Sequence, residues 1–214
     1  MHRKRQSMPK TWPLPRKGTK YISSSGNFLS IPVYVIIRDI IRIVNNRKDV
    51  KKIIKEGRIF VNNKKIKDEK FPVQLKDIIE IDKKIYTLDL NENKKLTIKE
   101  ILNEKKEIIA KILNKKKIDK NKIQINCTNG RNYLIDYKEN KNIKIGDSVL
   151  FDLNNKKIIE ILPLKEGSKV LVINGKHIGK RGIIEKIDKE KNIATIKISQ
   201  EKINALLDYI MVEK

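Results

Sequence analysis

The chain has 214 residues, with 50 Lys and Arg against 26 Asp and Glu, a formal charge of +24. A fold with that excess repels itself, and a dense polyanion such as nucleic acid relieves the repulsion while releasing its own condensed counterions. The single cysteine, Cys127, excludes an internal disulfide and a zinc finger built on paired cysteines, and points to a reducing cytosol. No bilayer span is expected either: the longest apolar-rich stretch, Ile31 to Val44, is interrupted by Arg38, Asp39 and Arg42, and residues 1–20 hold Pro9, Pro13 and Pro15 where a signal peptide needs an apolar run.

Residues 1–29 read as a basic N-terminal extension with little regular structure. Arg3, Lys4, Arg5, Lys10, Arg16, Lys17 and Lys20 are basic, with no acid among them. Trp12, the only tryptophan, is placed to stack on an unpaired base while the cations meet phosphates. Ser23, Ser24, Ser25 and Gly26 form a flexible joint, and the arm is expected to order only on its partner.

A helix comes next. Ser30 suits its N-cap and Pro32 its first turn, and Ile36, Ile37, Ile40, Ile41 and Val44 make an apolar stripe at helical spacing. Arg38 and Arg42, four apart, would share its polar face. Asn45 and Asn46 break to a second helix at 47–56. There Val50, Ile53 and Ile54 face inward, and Arg47, Lys48, Lys51, Lys52 and Lys55 face outward. Gly57 suits the left-handed position that ends a helix. Arg58 to Val61, Asn62-Asn63 and Lys64-Lys65-Ile66 then read as strand, turn, strand. Helix and hairpin would together present one cationic wall to phosphates across an A-form groove.

Short strands are expected at 77–81 and 85–88. Residues 96–118 fit a Lys/Glu helix by part of their spacing, and 111–113 also fit a strand. Residues 123–127 and 131–135 flank Asn129-Gly130 as a hairpin. With strands at 148–151 and 157–162 the middle reads as a small barrel. The last section, from Gly167, holds strands at 169–173, 182–187 and 194–198. It makes a compact barrel whose loop, with Gly175, Gly179 and Gly182, exposes Lys176, His177, Lys180 and Arg181.

Catalysis finds no support. The glycine spacing lacks the Gly-Lys-Ser/Thr of a phosphate loop. His2 and His177 have no carboxylate or nucleophile partner in sequence, Cys127 reads as a buried strand residue, and the acids are scattered among lysines. No catalytic residue, metal site, cofactor or small-molecule substrate is expected.

In order along the chain, His2-Arg3-Lys4-Arg5, Pro9-Lys10-Thr11-Trp12, Arg16-Lys17-Gly18, Ser30-Ile31-Pro32-Val33 and Ile37-Arg38-Asp39 resemble the opening of the small-subunit ribosomal protein S-four-e family, archaeal and eukaryotic type. Asn46-Arg47-Lys48 through Gly57 resembles its RNA-binding module. Lys70-Phe71-Pro72-Val73, Asp77-Ile78-Ile79, Lys122 to Asn126, Asn129-Gly130-Arg131-Asn132 and Gly146-Asp147-Ser148-Val149 resemble the family's later segments, including its central domain. Gly175-Lys176, Gly179 and Gly182 resemble its C-terminal KOW barrel. The chain departs from the family at His177-Ile178, commonly Asn-Ala or a similar pair, and at Asn63, often glycine.

The resemblance implies an α+β, multidomain protein. Its parts are a basic N-terminal arm (1–29), a helix-helix-hairpin RNA-binding module (30–94), a central β-rich domain (95–165) and a C-terminal KOW, SH3-like β-barrel (166–214). It also implies a short helix leading into a strand over 96–113. The implied role is a structural, non-catalytic protein of the cytoplasmic small ribosomal subunit, with ribosomal RNA and neighbouring ribosomal proteins as partners. Two other classes remain. An RNA-modifying enzyme would need a catalytic aspartate motif, which the residues after 100 do not show. A KOW-containing transcription elongation factor would purify with RNA polymerase.

Overall fold

A computed structural model describes residues 2–23, 26, 28–82, 84–102, 106–119, 122–136, 143–155, 157–198 and 201–214. The chain is mostly β with few helices and divides into two compact units, Met1–Lys106 and Glu107–Lys214.

In the first unit, β1 (His2–Lys4) and β2 (Tyr21–Ser23) form an antiparallel ribbon. The chain between them is folded onto the core. Trp12 is 1% exposed and Met8 is also buried. The indole N–H donates to the Ser30 carbonyl at 2.8 Å, and Leu96 N–H donates to the Thr11 carbonyl at 2.7 Å. This corrects the expectation of an arm ordered only by its partner: one large aromatic supplies the apolar area, and its polar atom is satisfied inside. The proposed joint at Ser24-Ser25 lies outside the described residues.

β3 (Ser30–Pro32) pairs with β6 (Pro72–Gln74), so Ser30 is a buried strand residue and not an N-cap. The helix α1 (Val33–Val35) starts after Pro32 and runs into a π-helical turn, Ile36–Ile40. Its first N–H groups find partners at long range, Val33 donating to the Phe71 carbonyl and Tyr34 to that of Glu69, so no side-chain cap is needed. Arg42 adopts φ 61°, outside the helix, which separates it from the face of Arg38.

α2 (Arg47–Glu56) forms as expected, burying Val50, Ile53 and Ile54, and Gly57 ends it at φ 76°. β4 (Ile59–Val61) and β5 (Lys64–Lys65) flank Asn62 and Asn63 at φ 51° and 60°, the two positive values that a two-residue hairpin turn of the right twist requires. β7 (Ile78–Ile81), β8 (Lys84–Leu90) and β9 (Leu96–Ile101) complete a sheet of order β5-β4-β7-β8-β9. Residues 96–101 are therefore a strand where a short helix was expected, because β8 offers a free edge and Leu96 can pack inward opposite Leu90. The boundary expected between residues 94 and 95 falls inside this β-hairpin.

The second unit opens with β10 (Glu107–Lys117), shared between two partners. Its first half pairs with β13 (Ser148–Asp152) and its second half with β11 (Lys122–Cys127). β12 (Asn132–Asp136) and β14 (Lys157–Leu162) are the edges of the order β12-β11-β10-β13-β14. The edges do not pair among the described residues, so the small barrel expected here is an open sheet, packed on Ala110, Ile112, Ile123, Ile125 and Val149. β15 (Lys169–Val172), β16 (Arg181–Asp188), β17 (Ile193–Ile198), β18 (Glu201–Leu206) and β19 (Ile210–Val212) form the last sheet, in the order β18-β17-β16-β15-β19. Gly182 belongs to β16 and not to the loop: the Lys197 carbonyl crosses so close that a Cβ has no room.

One turn recurs three times. Lys76, Gly146 and Gly167 each take positive φ, at 66°, 96° and 85°, immediately before Asp77, Asp147 or Ser168. Each donates its N–H to a facing residue, Leu88, Ile112 or Ile184. That residue returns its own N–H to the carbonyl of the Asp or Ser, all six bonds lying between 2.8 and 3.1 Å. In the first two, the aspartate Oδ2 also accepts the N–H three residues upstream, from Gln74 and Lys144, both at 2.8 Å.

Candidate RNA interface

At 3.6 residues per turn, Arg47, Lys48, Lys51, Lys52 and Lys55 fall within an arc of about 140° on α2. The buried Val50, Ile53 and Ile54 occupy the opposite arc, and Asp49 and Glu56 gather on one flank between them. Acids are thus segregated from the cationic stripe. Lys48, Lys52 and Lys55 are exposed and make no ion pair among the described residues. With Lys51 and Glu56 they line a shallow depression. The hairpin lysines 64 and 65 are also exposed, and the ammonium end of Lys65 lies over Gly57.

The arginines of this unit are used differently. Arg38 grips Asp39 at two points (3.0 and 2.7 Å), Arg47 grips Glu69 (3.0 and 2.5 Å), and Arg58 grips Asp82 with Glu56 beside it. These charge-assisted bonds raise all three guanidinium pKa values, through Asp39, Glu69 and Asp82 respectively. Arg38 and Arg47 also both lie against the Tyr34 ring, at 5.3 and 5.4 Å. Of the four arginines expected here to meet RNA, only Arg42 is exposed without an ion pair among the described residues.

In the arm, Lys4, Lys10 and Lys17 are exposed and Arg3 is half-buried. Arg5 donates to the Pro15 carbonyl and Arg16 to that of Gln6, so both also shape the arm itself. Burial removes Trp12 as a stacking platform; the exposed aromatics of the arm are Tyr21 and Phe28. In the C-terminal sheet, Lys176 is exposed and His177 half-buried between Gly175 and Gly179, both at positive φ. Lys180 pairs with Glu201 at 3.1 Å and Arg181 with Glu213 at 3.0 Å.

The pattern of residues did not single out Lys111. It is 2% exposed, and its ammonium donates to the carbonyls of Leu207 and Asp208 at 2.7 and 2.8 Å, tying β10 to the turn before β19. Burial draws its pKa down to about 8. Burial also pushes the Cys127 thiol up to about 12, which leaves it unreactive. Among the described residues no group of three or more His, Cys, Asp and Glu could hold a metal ion, and no helix is long and apolar enough to cross a membrane.

Three family models match the chain in sequence: an S4 domain over residues 40–79, ribosomal family S4e over 82–158 and a KOW motif over 166–197. Small ribosomal subunit protein eS4 of Nanoarchaeum equitans is 32% identical over 98% of this chain and 94% of its own length. That of Archaeoglobus fulgidus is 32% identical over 99% and 92%. The crystal structure of the 30S ribosomal protein S4e from Thermoplasma acidophilum superposes with a TM-score of 0.73 at 26% identity, covering 86% of this chain and 94% of that one. With such identity held over nearly its whole length, the chain belongs to the eS4 family of small ribosomal subunit proteins.

Proposed function

We propose that this protein is a structural constituent of the small ribosomal subunit, in the cytoplasm, where it holds ribosomal RNA by its phosphates and catalyses nothing. The observation that carries the reading is the cationic stripe of α2, in which Lys48, Lys52 and Lys55 stand exposed without an ion pair among the described residues. Long, flexible lysines suit a backbone lattice, which needs charge more than a fixed angle, while the arginine forks hold the module's shape.

On this reading α2 with the β4–β5 hairpin is the RNA-binding module, and the last five strands are the SH3-like KOW barrel. Lys4, Lys10, Lys17, Arg42, Lys64, Lys65 and Lys176 supply further phosphate contacts. Neighbouring ribosomal proteins would be its protein partners. The test is sedimentation of a tagged copy through a sucrose gradient. It is expected to travel with the small subunit and to leave it at high salt; migration with RNA polymerase instead would overturn the proposal.

A further inference from the structure

The β1–β2 ribbon places Lys4 directly opposite Tyr21, and Arg3 opposite Ile22. Side chains alternate across a strand, so Lys4 and Tyr21 share one face and Ile22 turns to the other. Burial agrees with this: Ile22 is buried, while Lys4 is exposed and Tyr21 keeps 46% of its surface. Lys20 adds a second cation, its ammonium 5.5 Å from the centre of the Tyr21 ring. Neither lysine makes an ion pair among the described residues, and no acid precedes Asp39 in the chain.

The ribbon under this face is pinned. Arg5 N–H continues the pairing to the Lys20 carbonyl at 3.0 Å, Arg5 Nε holds the Pro15 carbonyl, and Ser23 N–H donates to the Tyr34 hydroxyl. An exposed ring thus stands on a pinned ribbon, with Lys4 across from it and the Lys20 ammonium against it.

We propose that Tyr21 stacks on one unpaired base of RNA, with Lys4 and Lys20 on the flanking phosphates. The site is the role looked for at Trp12, moved to the exposed aromatic that has lysines beside it, and it rests on the RNA-binding reading above. Stacking is indifferent to salt and phosphate contact is not, which separates the parts of the site.

The full chain is titrated with single-stranded oligoadenylate carrying one 2-aminopurine, at several salt concentrations. Tyr21→Ala is expected to weaken binding roughly tenfold at every salt concentration, to abolish the stacking quench of 2-aminopurine and to leave the log–log salt slope unchanged. Tyr21→Phe retains both affinity and quench. Lys4→Ala with Lys20→Ala lowers the slope instead. Unchanged Trp12 emission shows that the arm still folds in each variant. If the parent binds and Tyr21→Ala matches it, the stacking site is wrong while the phosphate-binding reading stands. If the parent binds no RNA, both fail. If Tyr21→Ala only impairs entry into the subunit and leaves oligonucleotide binding intact, the face belongs to a protein neighbour and the proposal is overturned.

Discussion

Arg47 on α2 and Glu69 in the loop before β6 meet in a two-point fork whose carboxylate is nearly covered while the guanidinium stays half exposed. The fork, chiefly through its hydrogen bonds from Arg47, holds the Glu69 pKa below its ordinary 4.5. A depressed carboxylate contributes stability in full above its unfolded pKa and loses it as pH falls through the folded value. Glu69→Gln is therefore expected to cost about 1 kcal/mol at pH 7, discounted for the exposed partner. In urea denaturation the gap between parent and variant should close as pH falls below 4.5. A gap that persists in acid would mean that the ion pair is not its source.

Asn62 locks the hairpin turn from inside. Its Nδ2 donates to Asp77 Oδ1 at 2.7 Å, and its Oδ1 accepts Ile78 N–H at 2.8 Å, both buried. Asn62→Ala strands the Ile78 N–H, takes one hydrogen bond from Asp77 and keeps a Cβ at positive φ, so a loss of about 2–4 kcal/mol is expected. Asn62→Gly loses the same two hydrogen bonds but relieves the backbone, and should lose less. Equal losses in chemical denaturation would remove the backbone from the account.

On α2, Lys48→Ala, Lys52→Ala and Lys55→Ala together should leave the far-ultraviolet spectrum intact and make the log–log salt dependence of ribosomal RNA binding shallower by roughly 2–3. Arg38→Ala should do the reverse, lowering the melting temperature through the lost Asp39 fork and Tyr34 contact with little change in slope. Filter binding between low and moderate salt reads both, and an unchanged slope in the triple variant would take α2 out of the interface.

Lys111 gives an alkaline signature. Burial lowers its pKa from 10.5 to about 8, so between those values the unfolded chain holds a proton that the folded chain has released. Stability then rises with pH across that window. Lys111→Met keeps the stem and removes the titration. The parent is expected to gain on the variant by at most about 2–3 kcal/mol between pH 8 and 10. Thermal melts of both proteins that move in parallel would contradict this.

The legible part of the fold was local. α2 announced itself by its apolar spacing and Gly57, and the β4–β5 turn by Asn62-Asn63, since those signals lie within one element. Most of what misled hinged on distant partners. An aromatic in a basic segment reads alike whether it stacks on a base or packs on a core; the Thr11–Leu96 bond decides, and it joins residues far apart. Ser30 looks like a cap until the 69–71 loop takes the N–H groups it would have served. Arg47, Arg58 and Arg181 are tied down by Glu69, Asp82 and Glu213, none of them close in sequence, whereas Arg38 is held by its own neighbour, Asp39.

The thrice-used turn bears on how so monotonous a chain finds one set of strand pairings. Strands written mostly in isoleucine, lysine and asparagine keep their inside-outside alternation when they slide by two residues, so the side chains alone discriminate weakly between neighbouring alignments. Lys76-Asp77, Gly146-Asp147 and Gly167-Ser168 clamp one backbone position each against Leu88, Ile112 and Ile184, and a slid strand would break both bonds of its clamp. Alignment is thereby written in three punctuation marks, and the letters between them need carry only the inside-outside alternation and the charge of the surface.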